Sequence, residues 1–195
     1  MSKNNFFFRA ILSILLLFAG ASALAEGFSA ERLVQDARAQ IGQTLSYDPS
    51  YVRISYPMGD VPIASGVCTD VVIRALRHQG IDLQQRIHED MQKNFQRYPN
   101  YGLSKPDANI DHRRVPNLQR YFERQSYAVA GKTFQPGDIV TWNLTPQVKH
   151  IGIVSDRKDF SGQRPLIIHN IGRGTQEEDV LYRFTITGHY RITRP

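Results

Sequence analysis

The sequence predicts an α+β domain, because helical periodicity belongs to its front half and strand periodicity to its last third. Apolar residues recur at helical spacing from Ser29 to Ile41 and again after Cys68. From Ile139 onward, short apolar runs alternate with turn residues, as is typical of antiparallel strands. With 195 residues, the chain is long enough for one domain with a sizeable core.

The first 25 residues have the pattern of a secretory signal peptide. Lys3 and Arg9 precede an apolar run from Ala10 to Gly20, and Ala23-Leu24-Ala25 has the small-x-small pattern that signal peptidase reads. The run is shorter than the ~20 residues that a membrane span needs. We therefore expect a signal at residues 1–25, no stable membrane span after its removal, and export across the inner membrane to the periplasm or the exterior.

Composition restricts the remaining residues, 26–195, which we interpret as a single domain. The chain has one cysteine, Cys68, so the exported protein forms no internal disulfide and its core must hold the fold. The formal net charge is +6, and two of the basic residues leave with the signal. The other basic residues are scattered rather than grouped, which argues against a nucleic-acid partner.

Two helices are predicted in the front half. The first, from Ser29 to Ile41, has a serine as N-cap and Gly42 as its stop. An irregular loop rich in Tyr, Pro, Gly and Asp follows, from Tyr47 to Ala64. The second helix lies between Cys68 and Gly80, so the cysteine is in its first turn. Unpaired N–H groups and the helix dipole there favour a thiolate over a thiol, although a lone cysteine is also explained as a small buried apolar residue.

Residues 82–132 have the weakest pattern. Short helices are predicted around His88 to Phe95 and around Pro116 to Arg124. The cluster His88-Glu89-Asp90 is typical of a solvated helix face, with a metal site as the alternative. The cluster Asp111-His112-Arg113-Arg114 suits either a surface ion-pair patch or a clamp for a substrate carboxylate. No HExxH, CxxC or EF-hand pattern occurs, so we expect no metal and no cofactor.

The last third of the chain predicts five short strands after the turn Gln135-Pro136-Gly137-Asp138. The strands are Ile139 to Trp142, His150 to Val154, Leu166 to His169, Tyr182 to Thr187 and Tyr190 to Thr193. Their connections are short, so we expect antiparallel neighbours with the Cys68 helix packed on the sheet. Gly172-Arg173-Gly174 is interpreted as a turn, because it lacks the strand-then-helix context of a phosphate loop.

A cysteine nucleophile needs an imidazole to take its proton and a third group to orient that imidazole. His150 opens one predicted strand and His169 closes the next, so both can lie on the sheet face that meets the Cys68 helix. Gly152 shares the face of His150 and lets a neighbouring element approach closely. Asn170 is the alternative to His169, because side chains alternate along a strand and only one of the two can face the site.

The order of these motifs resembles the NlpC-type cell-wall cysteine peptidases, a compact branch of the papain-like fold. The matching segments are the cysteine at a helix start, Pro-Gly-Asp-Ile-Val at 136–140, His-Ile-Gly-Ile-Val at 150–154 and Ile-Ile-His at 167–169. The resemblance runs from about Ser29 to the end of the chain. It implies Cys68 as nucleophile, His150 as general base and acid, and His169 as the group that orients His150.

The sequence departs from that pattern around the cysteine. The family has Asp-Cys-Ser-Gly where this chain has Val67-Cys68-Thr69-Asp70, so hydrogen bonding in the first helical turn must differ. The segment Tyr56-Pro57-Met58-Gly59-Asp60 is similar to the family's Tyr-x-x-Gly-Gly, whose tyrosine lies near the nucleophile. Tyr56 is therefore a candidate oxyanion donor beside the Cys68 backbone N–H, and Tyr47 is its rival.

Three further residues are candidates for contact with substrate or oxyanion: Asp70, Asn170 and Arg113. Residues 82–132 are longer than the equivalent segment of the family and are treated as an insertion. The chain as a whole looks like a secreted bacterial offshoot of that superfamily, of the kind described as a domain of unknown function.

These observations predict a secreted cysteine hydrolase that cleaves an amide bond, with the peptide stems of peptidoglycan as the substrate implied by the resemblance. An amidase, esterase or acyltransferase on the same scaffold is an alternative, because a fold does not choose among these chemistries. A catalytically silent module that binds cell-wall peptide is another. A zinc site formed by Cys68, His150 and His169 is a third.

Overall fold

The computed structural model describes residues 27–193. The helices are Ala30–Arg38 (α1), Cys68–Arg77 (α2), Leu83–Asn94 (α3) and Val115–Arg124 (α4), with short 3₁₀ turns at Phe95–Arg97 and Asp111–Arg113. The strands are Ser46–Tyr47 (β1), Ser65–Gly66 (β2), Ile139–Asn143 (β3), Lys149–Lys158 (β4), Pro165–Asn170 (β5), Thr175–Glu178 (β6) and Thr185–Tyr190 (β7). The predicted signal, residues 1–25, lies outside the described residues.

The main sheet has five antiparallel strands in the order β6-β5-β4-β3-β7. Strands β3 to β6 form a meander, and β7 returns to pair with β3. β1 and β2 form a separate short parallel pair beside the start of α2. This arrangement confirms the predicted α+β class with an antiparallel C-terminal sheet.

Gly152 determines how closely β4 and β5 approach each other. A Cβ atom added at this position would lie 2.6 Å from Ile167 Cγ2 and 3.1 Å from His169 Cβ. The strands therefore need a residue without a side chain here, as the sequence predicts.

The main core lies between the helices and one face of the sheet. Helix α2 packs on α1 and on β4, so the helix that begins at Cys68 contacts the sheet as expected. Leu33, Val72 and Leu76 from the helices are fully buried together with Ile151 and Ile153 from β4. Burial of such side chains contributes about 1.5–3 kcal/mol each. The position of α2 on the sheet is thus fixed by apolar packing.

A second, smaller apolar cluster lies on the other sheet face around Trp142. Its indole Nε1 donates to the carbonyl of Leu181 at 2.9 Å. The prediction of two strands at the end of the chain, Tyr182 to Thr187 and Tyr190 to Thr193, is wrong. The structure has one strand there, Thr185–Tyr190. The residues before it form a loop instead, and the bond to Leu181 holds that loop over Trp142.

The structure contains one strand that was not predicted and one helix that begins earlier than predicted, and polar side chains explain both differences. β6, Thr175–Glu178, pairs with β5 at the edge of the sheet but lacks the apolar alternation of a half-buried strand. Helix α3 begins at Leu83, earlier than predicted, because the Asp82 side chain accepts from the N–H of Gln84 and caps the first turn. None of the helices between residues 27 and 193 is long and apolar enough to cross a membrane.

Candidate active site

Cys68 is the first residue of α2 and lies at the bottom of a cleft of about 520 Å³. The helix begins there because Oδ2 of Asp70 accepts from the N–H of Val67 at 2.7 Å, which satisfies a donor that the helix leaves unpaired. A Cβ atom added at Gly66 would lie 3.0 Å from the same oxygen of Asp70, so there is little room for a side chain at position 66. The cysteine is only 3% exposed.

The Cys68 thiol is neutral in the free protein. Burial raises its pKa to about 12. Three hydrogen-bond donors to the sulfur oppose this rise: the backbone N–H groups of Ile151 and Thr69 and the hydroxyl of Tyr47. The expected lowering of the pKa at the helix start is therefore wrong, because desolvation outweighs the donors that the helix supplies. The bond from Ile151 places the sulfur against the start of β4, one residue from His150.

His150, His169 and Glu178 form a hydrogen-bonded chain across three adjacent strands. Nε2 of His150 lies 2.8 Å from Nδ1 of His169, and Nε2 of His169 lies 3.1 Å from Oε2 of Glu178. The two imidazoles are buried and meet edge to face, with ring centroids 5.0 Å apart. Burial lowers the pKa of His150 to about 3. It also lowers that of His169, against the opposing effect of Glu178, so both rings are neutral at pH 7.

The hydrogen bonds from Glu178 through His169 to His150 determine which ring nitrogen of each histidine carries a proton. A carboxylate only accepts, so Nε2 of His169 donates to Glu178. Nδ1 of the neutral His169 must then accept, and it takes its hydrogen bond from the Nε2–H of His150. Nδ1 of His150 is consequently left with a free lone pair. A neutral imidazole nitrogen with a free lone pair can accept a proton.

The structure brings Tyr47, and not Tyr56, to the thiol. The Tyr47 hydroxyl is hydrogen-bonded to Cys68, and burial raises the pKa of this tyrosine well above its ordinary value. Tyr56 is exposed, and its ring packs edge-on against His88 with centroids 5.1 Å apart. Its loop is held away from the cleft by α3, where the Gln84 side chain accepts from the N–H of Gly59 at 2.8 Å.

Asp70 and Arg113 are bound to each other beneath the site. Arg113 donates to both carboxylate oxygens of Asp70, at 3.0 and 2.9 Å, and both side chains are buried. The same guanidinium donates to the carbonyls of Asp48 and Ser50 at 3.4 Å. These bonds tie the loop that carries Tyr47 to the start of α2. The two candidates thus brace the site, and Arg113 also lines the cleft.

Asn170 holds the small β1–β2 pair against the main sheet. Its side-chain nitrogen donates to the carbonyls of Ser46 and Gly66, at 3.2 and 3.1 Å. His169 is the residue that contacts the imidazole of His150. Its neighbour Asn170 instead contacts the backbone before Cys68.

The polar cluster at residues 88–90 forms part of the α3 surface. His88 bonds to Gln92 at 3.0 Å, and the carboxylate of Asp90 pairs with Arg124 at 2.6 and 2.9 Å. Across the described range, 27–193, no group of three or more His, Cys, Asp or Glu side chains is arranged to hold a metal ion.

Sequence reasoning missed Glu178 and Lys149. Glu178 lies on β6, two residues beyond Gln176, the partner of His169 across the strand pair, and therefore on the same sheet face. Alternation would have indicated it if β6 had been predicted. Lys149 lines the cleft, and its side chain is held there by contacts with Asn143 and Pro146 that no local sequence pattern indicates.

The fold and site define an α+β protein with one buried cysteine beside a chain of two histidines and a glutamate. The chain belongs to the family described as domain of unknown function (DUF1287), whose model matches residues 34–192. It is 54% identical over 164 residues to "Uncharacterized protein YijF" of Escherichia coli (strain K12), a match that covers 82% of this chain and 80% of that protein. No solved structure matches. The family match agrees with the expected domain of unknown function, and the relationship to NlpC-type peptidases stays a prediction.

Proposed function

We propose that the protein is a secreted cysteine hydrolase of the papain-like, NlpC-type class and that it cleaves an amide bond in the peptide stems of peptidoglycan. The observation that carries this proposal is the chain Glu178–His169–His150, which ends beside the residue whose N–H bonds the sulfur of Cys68. A buried nucleophile, a base with a free lone pair and a group that orients the base are the parts that acyl transfer requires.

The reaction begins with the neutral thiol. Nδ1 of His150 takes the thiol proton as the sulfur of Cys68 attacks the carbonyl carbon of the amide. The C–N bond then breaks, and the imidazolium returns the proton to the leaving amine. Water attacks the resulting thioester with His150 as base, which releases the carboxylic acid and restores the thiol. His169 and Glu178 hold His150 in the required tautomer throughout.

Tyr47 is assigned to the negative charge that develops on the carbonyl oxygen. Its hydroxyl already donates to the sulfur of Cys68, so it lies within reach of an acyl group bonded to that atom. The backbone N–H of Cys68 is the second donor in this proposal. Donors of this kind accelerate acyl transfer by about 10²–10³ each.

The choice of peptidoglycan is supported by the resemblance and by the predicted signal at residues 1–25, which would deliver the enzyme to the periplasm or the cell exterior. Amidase, esterase and acyltransferase reactions use the same chemical groups. One observation favours a second candidate, a catalytically silent module that binds cell-wall peptide: the pKa of the Cys68 thiol is raised by burial instead of lowered.

The test is a digest of purified peptidoglycan with the mature protein and with three variants, Cys68→Ala, His150→Ala and His78→Ala. His78 is an exposed histidine just beyond α2 and serves as the matched control. Soluble fragments are identified by mass spectrometry. We expect new fragments from the wild type and from His78→Ala alone, with masses that define the cleaved bond. Release by Cys68→Ala would contradict the proposal, and binding of wall peptide without release would identify the silent module.

A further inference from the structure

The charged side chains that line the cleft above Cys68 are basic. Arg113, Arg114 and Lys149 line it, and no carboxylate of residues 27–193 does. The other lining residues are aromatic, aliphatic or amide side chains. A cleft of this kind attracts anionic groups, provided that its cations are not neutralised by ion pairs elsewhere.

The three cations differ in how far they are neutralised. Arg113 is fully paired with the buried carboxylate of Asp70. The guanidinium of Arg114 stacks over the ring of Tyr101, 4.5 Å from its centroid, and its Nη1 is buried without a hydrogen-bond partner in the described part of the chain. Nη1 of Arg114 forms an ion pair with the buried carboxylate of Asp111, whose Oδ1 lies 3.6 Å away, beyond hydrogen-bond length. The charge of Arg114 is therefore partly neutralised, and this side chain can only assist in binding an anion.

Lys149 is held in place by neutral groups alone. Its ammonium donates to Oδ1 of Asn143 and to the carbonyl of Pro146, both at 2.8 Å. It forms no ion pair with any residue between 27 and 193. An ammonium has three N–H groups, so one donor and the whole positive charge remain available. Because Lys149 and Cys68 both line the cleft, this charge lies in the same cleft as the thiol.

We propose that Lys149, assisted by Arg114, binds a carboxylate of the substrate close to the reacting carbonyl, so that the site selects acidic acyl compounds or acidic peptides. The inference rests on the proposed function for the statement that the bound compound is a substrate. The carboxylate site itself is testable without any hydrolysis. Hydrogen bonds between a cationic donor and a carboxylate are charge-assisted, which makes them stronger than those between neutral groups.

The test compares two thiol reagents of similar size, iodoacetate and iodoacetamide, which differ in that one has a carboxylate and the other a carboxamide. The rates at which they alkylate Cys68 are measured at about pH 9 and divided by the corresponding rates for free cysteine. Both reagents need the same thiolate, so a change in the pKa of the thiol cancels in the ratio. We expect iodoacetate to be favoured by about three- to tenfold in the wild type.

Variants assign this preference to Lys149. Lys149→Gln should remove most of it, Arg114→Gln part of it, and Lys149→Arg should retain it. Lys158→Gln, an exposed lysine at the far end of the same strand, should leave it unchanged. For a measurement that needs no variant, about 0.5 M salt should reduce the wild-type preference, since added ions screen the attraction.

Two results would overturn the inference: a wild-type preference equal to that of free cysteine, or one that Lys149→Gln leaves intact. A folded wild type that neither reagent alkylates would also overturn it, since the cleft would then admit no carboxylate to the thiol. Failure of the proposed hydrolysis has a different signature, in which iodoacetate is preferred while peptidoglycan is not cleaved.

Discussion

Two regions near Cys68, which we call the sheet wall and the irregular wall, are built in different ways. On the sheet side, His150, His169 and Glu178 come from adjacent strands, and strand register alone brings their side chains together. On the opposite side, Arg113 and Arg114 come from a 3₁₀ turn and its cap, and their positions depend on ion pairs and ring stacking. The strands thus hold the histidines that we propose for proton transfer as well as Lys149, whereas the irregular segment holds two arginines through its own contacts. We expect substitutions on the first wall to change kcat and those on the second to change KM or stability.

The largest effect is expected where the two walls meet, at Cys68. Cys68→Ala should reduce hydrolysis by at least about 10³-fold, because no other group can form the acyl-enzyme. Its unfolding midpoint in urea should stay close to that of the wild type, since the change removes one small buried atom. Residual activity above about a tenth of the wild type would show that Cys68 is not the nucleophile.

The next effect concerns stability and belongs to the irregular wall. Arg113→Met leaves the Asp70 carboxylate buried without its partner, and we expect the free energy of unfolding to fall by about 3–5 kcal/mol. The double variant Asp70→Asn with Arg113→Met removes both charges and should recover part of this loss. Urea unfolding measures both. Equal stability of the single and double variants would mean that the charge pair is not what braces this wall.

A smaller effect separates the two tyrosines. Tyr47→Phe removes a hydroxyl that contacts the thiol, and we expect kcat to fall by about 10² with little change in KM. Tyr56→Phe is the matched control and should match the wild type, because Tyr56 packs against His88 instead. If Tyr56→Phe were the damaging change, the assignment of the oxyanion donor would be reversed.

The last prediction is a pH dependence of stability that both walls share. Burial lowers the pKa of His112 in the irregular segment to about 3, as it does for His150 in the sheet. Below the unfolded value of about 6.5, the unfolded chain binds protons that the folded chain does not. Stability should therefore be fully present above pH 6.5 and be lost as the pH falls toward 3, by up to about 1.4 kcal/mol per pH unit for each histidine.

His112→Gln tests this dependence without altering the proposed catalytic groups. Urea unfolding between pH 7 and about pH 4.5 should show a shallower loss of stability for the variant than for the wild type. Parallel curves would show that His112 is not held neutral by the fold.

The sequence was informative where local pattern determines structure. Apolar periodicity located the helix that begins at Cys68 and the strands that carry His150 and His169, and the α+β class followed from them. Glu178 was not predicted, because an edge strand of polar residues has no apolar alternation. The protonation state of the thiol was predicted wrongly, since burial is a tertiary property and outweighs the local donors. The path of the long loop, which brings Tyr47 rather than Tyr56 to the cysteine, also depends on contacts with distant residues.

The central claim is that Cys68 forms a thioester with the acyl part of an amide substrate, and the most direct measurement is to trap that thioester. The mature protein is mixed with soluble stem peptides from peptidoglycan, quenched in acid within one turnover and digested for mass spectrometry. The account predicts an added acyl mass on the peptide that contains Cys68, removable by hydroxylamine and absent from Cys68→Ala. Cleavage of the stem peptides by the wild type with no adduct, or by Cys68→Ala at the same rate, would contradict it.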